Sequence, residues 1–447
     1  MKPEPERPRR FGPRFPFDPA RFPFFYGWIV AVAGTLGMMA TVPATPPGFA
    51  PFVEPVMEEL SLSRVNLTFA FTWGTIAAGL AIPFAGFWVD RFGVRLSGTV
   101  SFLCLGLSMV ALGYPGPLLA GMGRLGLPAD HSSFLFLFLV FFSLRFWGLG
   151  LIMTICRSMV FRWFVRWRGI VAGVNGMILS LSFSSAPVLL GGLVAVFGWK
   201  ETFRITGIAV GAGFCLVCFL FFRNSPEECG IPVRRPKDES EGGGDSSGGA
   251  LARKDFTARQ AMRTAAFWLM VSGLAMNAFI GTGTAFHLES IGGDLGGLSR
   301  EASLRLFLFV GIFNVLTSLG LGFVAERIRL RYLLFFMMAC QTLSLSGLFY
   351  LGEVPGLWAF AAGSGCAWGT FGILINVPWP RFFGRKHLGS INGIVTGAVV
   401  VFSAVGPYAF GLSFDISGSY RATILGCLCL TPVLALLGLT AHNPRRK

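Results

Sequence analysis

One arginine stands where a charge is costly. Arg145 lies in Leu144-Arg145-Phe146-Trp147-Gly148-Leu149-Gly150, inside an apolar run over residues 134–156. If that run crosses a bilayer, an Arg near its centre costs ~2.5–3.5 kcal/mol even on the lenient insertion scale, so it must face a cavity or a partner. A fixed guanidinium offers N–H donors in a planar fork and suits an anion or the control of a proton site. The plainer reading is a structural ion pair or a carbonyl contact between helices. His287 and Glu289 stand near the end of another apolar run, with Asp294 close by. An imidazole titrates near neutral pH, so His287 is a candidate for proton coupling, with a wet helix end as the alternative.

Uncharged polar side chains mark further candidates. They are Asn277, Thr282 and Thr284 in a seventh apolar run, Asn314 and Ser318 in an eighth, and Ser364, Thr370 and Asn376 in a tenth. Asn175 and Asn392 occupy matching places early in a fifth and an eleventh run, each followed by Gly. Hydrogen bonds between membrane helices are worth only ~0.6–2 kcal/mol, so these residues serve packing as readily as substrate contact. Trp147 and Trp368 fit a cavity wall or a lipid face equally well. There is no G-x-x-x-x-G-K-[ST] and no H-E-x-x-H. The four His are scattered, without a paired nucleophile or a metal site. No enzyme, cofactor or metal is expected, and ATP-driven transport by this chain alone is not expected either.

The elements that must position these groups follow from composition. Of 447 residues, 53% are hydrophobic and 13% charged, with mean hydropathy +0.65. Soluble chains carry about a quarter charged residues, so this apolar excess calls for lipid as solvent. The 59 Gly suit close packing of membrane helices, and the nine Cys lie mostly inside apolar runs as small packing residues. A spanning helix needs about 20 mostly apolar residues. Twelve runs qualify: 25–47, 66–89, 96–114, 134–156, 170–194 and 202–222, then 266–287, 304–325, 332–351, 356–377, 389–412 and 422–441. Pro43, Pro46 and Pro47 break the first, as is tolerated where backbone lines a cavity.

The expected order is a tail (1–24), a six-helix bundle (25–222), a linker (223–265), a second bundle (266–441) and a tail (442–447). The linker holds a Gly/Ser stretch over 239–250, and its end at 256–262 reads as a short amphipathic helix or as the start of the seventh run. With both tails inside, inner segments hold 29 of the 37 Lys and Arg and outer loops hold 7. That asymmetry places both termini in the cytoplasm, in a multi-pass inner (plasma) membrane protein. The basic residues cluster in short loops rather than on one face, which argues against a nucleic-acid partner. Residues 1–23 show no signal-peptide pattern.

The two bundles carry the mark of a duplication. Gly86 to Arg95 reads GFWVDRFGVR, and Gly322 to Arg331 reads GFVAERIRLR, 236 residues later. The match runs back without a gap to Leu62-Ser63-Arg64 and Leu298-Ser299-Arg300, with ten of 34 positions identical. Both copies fall on the inner side. Asp90, Arg91 and Arg95, and their counterparts Glu326, Arg327 and Arg331, can pair with neighbouring helix ends as a cytoplasmic gate. Arg329 stands in place of Gly93, which makes the two copies unequal.

The spacing G-x-x-x-D-R-x-G-x-R resembles the helix 2–3 signature of the major facilitator superfamily. That resemblance implies an all-α membrane protein of twelve transmembrane helices, in two pseudo-symmetric bundles around a central cavity. Arg145 resembles the superfamily's fourth-helix Arg, with Leu149 where a Gln often stands. A narrower resemblance rests on Phe25-Tyr26-Gly27-Trp28, on Pro55 to Leu60, on Arg162-Trp163-Phe164 with Arg168-Gly169, on Asn224 to Gly230, on Ala265 to Leu269 and on Phe383 to Gly389. Together these look like the bacterial branch of oxalate/formate antiporters and monocarboxylate transporters. The branch implies an Arg in the eighth helix with an Asp four residues earlier, and a Lys in the eleventh or first. Here those places hold Ser318, Asn314, no charge, and Pro47. The expectation is a monomeric secondary transporter that moves a small organic anion, mono- or dicarboxylate, by alternating access with a proton or in exchange. An exporter of hydrophobic or cationic molecules and a non-transporting membrane sensor are the alternatives.

Overall fold

The computed structural model describes residues 15–126, 128–164, 168–231, 256–324, 328–384 and 388–441. Among these the chain is helical throughout, because in hydrocarbon each backbone N–H and C=O must be satisfied within its own segment. The spans are α1 (Gly27–Ala44), α2 (Arg64–Ile82), α3 (Arg91–Leu112), α4 (His131–Val160), α5 (174–197), α6 (199–221), α7 (Ala265–Gly296), α8 (Arg300–Gly322), α9 (Leu330–Phe349), α10 (Val354–Leu374), α11 (Ile391–Ser417) and α12 (Arg421–Gly438). The helical stretch Val174–Phe221 is long enough for two crossings, and it divides at Gly198. There φ is +76°, in the left-handed region that glycine tolerates.

Helix starts follow local chemistry. Ser63 and Thr264 cap α2 and α7, their hydroxyls accepting from the Asn66 and Phe267 amides. Thr257 and Gln260 form a reciprocal capping box on a separate short helix, Ala258–Met262, so the end of the linker is its own element ahead of α7. Within this first span the α-helix ends at Met39, and Pro43, Pro46 and Pro47 carry the backbone through short turns to a further helix, Val53–Leu60. The central Gly/Ser stretch and both tail ends lie outside the described residues.

One core cluster fills the first bundle, joined by Phe286 from α7. Two others fill the second bundle, one around Trp379, Phe383 and Phe267, the other around Tyr420, Phe410 and Leu345. In the first bundle α3 and α6 touch backbone to backbone. A Cβ on Gly106 would stand 2.4 Å from the Gly211 Cα and 2.5 Å from the Gly207 carbonyl oxygen. Backbone cannot give way as a side chain can. Gly106→Val is therefore expected to destabilise by about 2 kcal/mol or more through overpacking, read as a lower thermal midpoint in detergent.

The halves meet where α2 and α8 begin, at Arg64 and Arg300, and further along both helices. Four hydrogen bonds among the described residues join them. Asn314 donates to the Ser180 hydroxyl (2.7 Å), Thr72 to the Ala404 carbonyl (2.8 Å), the Val65 amide to Asp415 (3.3 Å) and Arg300 to the Pro51 carbonyl. On the inner stretches of α5, α8 and α11, Gly176, Gly320, Gly393 and Gly397 have open space where a Cβ would stand.

Candidate functional site

Arg145 stands at the midpoint of α4 and is 7% exposed. Around it, over Leu144–Ile152, the helix widens to i→i+5 hydrogen bonding. Such bulges re-aim side chains and occur often at functional sites. Gly148 and Gly150 let this stretch pack against Ala44 of α1 and Ile82 of α2. The Arg145 guanidinium carbon lies 4.6 Å from the centre of the Phe71 ring on α2. Its Nη2 is buried and has no hydrogen-bond partner. Among the described residues no carboxylate lies within ion-pair distance of it. Arg145 is therefore a buried cation held by a ring face, with donor capacity left over.

From Arg145 a chain of contacts crosses to the other half. Phe71 meets Phe286 of α7 at 4.9 Å between ring centres, and Phe49 meets Phe286 at 5.7 Å. The next residue is His287. The helix it belongs to runs on to Gly296, so His287 is not at a wet end: it is 1% exposed. The sequence-based boundary at residue 287 fails because Gly292 and Gly293 look like a stop but pack as helix, with Gly292 close against Ser303. His287 Nε2 lies 3.0 Å from the Pro407 carbonyl of α11, which can only accept, so Nε2 carries the proton. Nδ1 lies 3.5 Å from the Tyr420 hydroxyl, which also lies 3.0 Å from the Ser290 hydroxyl. The Tyr420 hydroxyl donates to Ser290, so the bond that ties His287 of α7 to α11 is the one from Nε2.

The other candidates separate. Asn314 and Ser318 are half-buried and joined, the Ser318 hydroxyl donating to the Asn314 side-chain oxygen at 3.2 Å, at the α5–α8 contact between halves. Thr284 is buried, and its hydroxyl returns to the Ile280 carbonyl of its own helix (2.8 Å). Asn277 is fully buried with both amide atoms unpartnered. It shares a helix face with Gly273, packed on Leu334, and Gly281, packed under Trp368, so it points into the second bundle. Asn376 lies past the end of α10, exposed, and donates to the Gly372 carbonyl (3.1 Å). It is thus a residue of the inner helix end rather than of the bundle centre. Asn175 accepts from Thr35 at 2.6 Å, joining α5 to α1.

The repeated loop makes its described contacts within the first half. Gly93 takes φ +77°, and a Cβ there would meet the Asn224 side chain at 3.1 Å. The Val94 amide donates to the Asn224 side-chain oxygen (2.8 Å), and Arg95 Nε donates to the Phe222 carbonyl (3.3 Å). The loop is thus seated on the segment after α6. Arg91 is exposed, 5.6 Å over Phe92. Arg331 donates to the Tyr332 hydroxyl (3.1 Å). Glu326 and Arg327 lie outside the described residues, as does the Asp90 side chain. Helix α11 extends to Ser417 and so carries Asp415 at its outer end, beyond the uncharged stretch expected from sequence. Sequence reasoning missed Phe71, Phe286 and Tyr420, since one more aromatic among 47 Phe carries no signal. None of the nine Cys forms a disulfide.

Comparison with known proteins agrees with this architecture. The chain is 23% identical over 302 residues to the oxalate:formate antiporter of Oxalobacter formigenes, covering 67% of this chain and 64% of that protein, less than two thirds of its length. It is 23% identical over 439 residues to a probable sulfoacetate transporter of Cupriavidus necator, covering 88% and 90%. In fold it resembles the crystal structure of a D-xylose-proton symporter, with TM-score 0.67 and 15% identity over 92% of this chain and 97% of that one. It also resembles a bacterial homologue of the human lysosomal transporter Spinster in an inward-facing, unoccupied conformation, with TM-score 0.63 and 16% identity over 94% and 93%. The Major Facilitator Superfamily model matches residues 27–407, and with its twelve crossings in two duplicated bundles the chain belongs to that superfamily of membrane transporters.

Proposed function

We propose that this protein is a secondary carrier of a small organic anion, a mono- or dicarboxylate first among them. It works by alternating access, with a proton or in exchange for a second anion. It lies in a bacterial inner membrane with both tails in the cytoplasm, as the distribution of Lys and Arg favours. The observation that carries the reading is Arg145, a buried guanidinium at the middle of α4 with an unpartnered nitrogen and no carboxylate beside it. An anion completes such a group, and a cation is repelled by it. The place of the absent charges in α8 and α11 is then taken by one cation on the opposite half. Asn314 and Ser318, at the contact between the halves, are the nearest polar complement in kind. Two relatives whose names specify small anions, oxalate and formate in one case and sulfoacetate in the other, support the class. His287 reads as a tie between helices, because its Nε2 bonds the Pro407 carbonyl of α11.

The test is uptake into proteoliposomes of labelled oxalate, formate, lactate, pyruvate and sulfoacetate, with and without a pH gradient and with and without anion preloaded inside. Saturable uptake of at least one of them, stimulated by a gradient or by preloading, is the expected result. Flux of a lipophilic cation with no flux of any anion overturns the reading in favour of an exporter.

A further inference from the structure

The repeat extends back to Leu62-Ser63-Arg64 and Leu298-Ser299-Arg300, and the inner-side loop does not account for those residues. In the structure they begin α2 and α8 on the outer side. Ser63 and Ser299 cap their helices, their hydroxyls accepting from the Asn66 and Ala302 amides. Each Arg is thereby the first residue of its helix, placed at the rim between the halves.

The two arginines do the same thing in opposite directions. Arg64 is held by Glu54 of its own half through two bonds, Nη1 to Oε1 at 2.5 Å and Nη2 to Oε2 at 3.0 Å. Its guanidinium reaches across to lie 4.7 Å from the centre of the Phe414 ring on α11. Arg300 is held by Glu289 of its own half, Nε to Oε1 at 3.3 Å, and reaches across to donate to the Pro51 carbonyl. Each latch has a carboxylate anchor at home and a contact in the other half. Between them lies a cavity of about 420 Å³, lined by both pairs, Asp294 and Phe414. The groups are only partly buried, and partly exposed ion pairs are weak. A closure that must open in every cycle needs contacts of that strength.

We infer that Arg64 and Arg300, anchored by Glu54 and Glu289, are a reciprocal pair of latches that close the outer side of the carrier. The duplication supplied both. The two are unequal: Glu54 gives two bonds, whereas the second oxygen of Glu289 is buried without a partner. Arg64 is therefore the more firmly anchored of the two. This inference rests on the alternating-access reading, but its test requires no substrate.

The reporter is Thr72→Cys. Thr72 is 7% exposed and bonds the Ala404 carbonyl two turns below Arg64, so it is covered only while the outer side is shut. The measurement is its rate of modification by a membrane-impermeant thiosulfonate, applied to either face of sealed vesicles, with the same chain lacking Thr72→Cys as background. Arg64→Ala or Arg300→Ala is expected to raise the rate from the Arg64 face about fivefold by shifting the closed–open balance, Arg64→Ala the more, and the double variant more than either. Glu54→Gln and Glu289→Gln keep shape, lose the anchor charge, and are expected to give the same direction if an alanine variant fails to fold. Arg300→Lys is expected to fall between. Unchanged labelling from both faces in folded Glu54→Gln and Glu289→Gln overturns the inference. Failure of every anion to be transported leaves the labelling result standing and overturns only the substrate reading.

Discussion

Arg145→Ala is expected to lower anion uptake about 100-fold while leaving the thermal midpoint equal or higher. Truncating one partner of a buried, hydrogen-bonded charge pair costs about 2–5 kcal/mol of binding, which sets that scale for the bound anion. Stability should move the other way. In the ligand-free protein Arg145 has only the Phe71 ring and an unpartnered Nη2, so it is a buried charge incompletely compensated. Removing it relieves that cost, and Arg145→Leu, which refills the volume, should be the most stable of the set. Arg145→Lys keeps the charge but loses the planar stack on Phe71 and the two-pronged donor, so partial activity is expected. The opposite pattern, with uptake and its pH dependence intact in Arg145→Ala and a fallen midpoint, would make Arg145 a structural residue.

Arg223→Ala is expected to destabilise the first bundle by about 2 kcal/mol or more, since it removes three hydrogen bonds made by one buried guanidinium. Arg223 is 2% exposed and closes the inner end of α6. Its Nη1 donates to the Leu220 and Phe222 carbonyls (2.8 Å each), and Nη2 donates to the Phe15 carbonyl (3.0 Å). Cations bond well to the free carbonyls of a helix C-terminus. Its guanidinium also lies 5.1 Å from the Phe17 ring, and Trp163 Nε1 donates to its carbonyl (3.1 Å). Burial lowers its pKa, and burial pushes the neighbouring Cys229 thiol up to about 11, so that thiol stays neutral. Carbonyls and a ring, rather than an anion, therefore meet this charge. The Phe222 carbonyl also accepts from Arg95, so losing Arg223 loosens the seat of the repeated loop. Thermal unfolding in detergent of Arg223→Ala beside Arg223→Lys checks this. A midpoint within error of the wild type in both would refute the capping role.

The spans were legible because lipid imposes one rule along the whole chain. Every backbone group must be paired locally, so length and hydropathy suffice to find α1 to α12. Ends were legible where a polar cap stands alone, as at Ser63 and Thr264. At α7 the expected end at residue 287 is too early, since the helix continues to Gly296 with Gly292 packed on Ser303 of α8, and this places His287 inside the protein rather than in water. The candidate site was legible only through charge. Arg145 declares itself by its cost in an apolar run. Asn277, Thr284 and Asn376 have the same kind of side chain in sequence, yet one faces the second bundle, one bonds its own helix and one lies past a helix end.

The sequence by itself determined the class of this protein: twelve crossings, a stretch repeated in both halves, basic short loops and one charge that lipid will not tolerate unaided. These are properties of composition and spacing, and they hold whatever the packing. Only the tertiary structure decided which residues meet. It placed Phe71 under Arg145 and Phe286 against Phe71, and it turned the repeated Leu-Ser-Arg from a mark of ancestry into two arginines that reach across the outer rim in opposite directions. The reason is geometric. Rotation of a helix about its axis and the pairing of distant helices depend on contacts far apart in sequence, and periodicity along a uniformly apolar helix does not encode them.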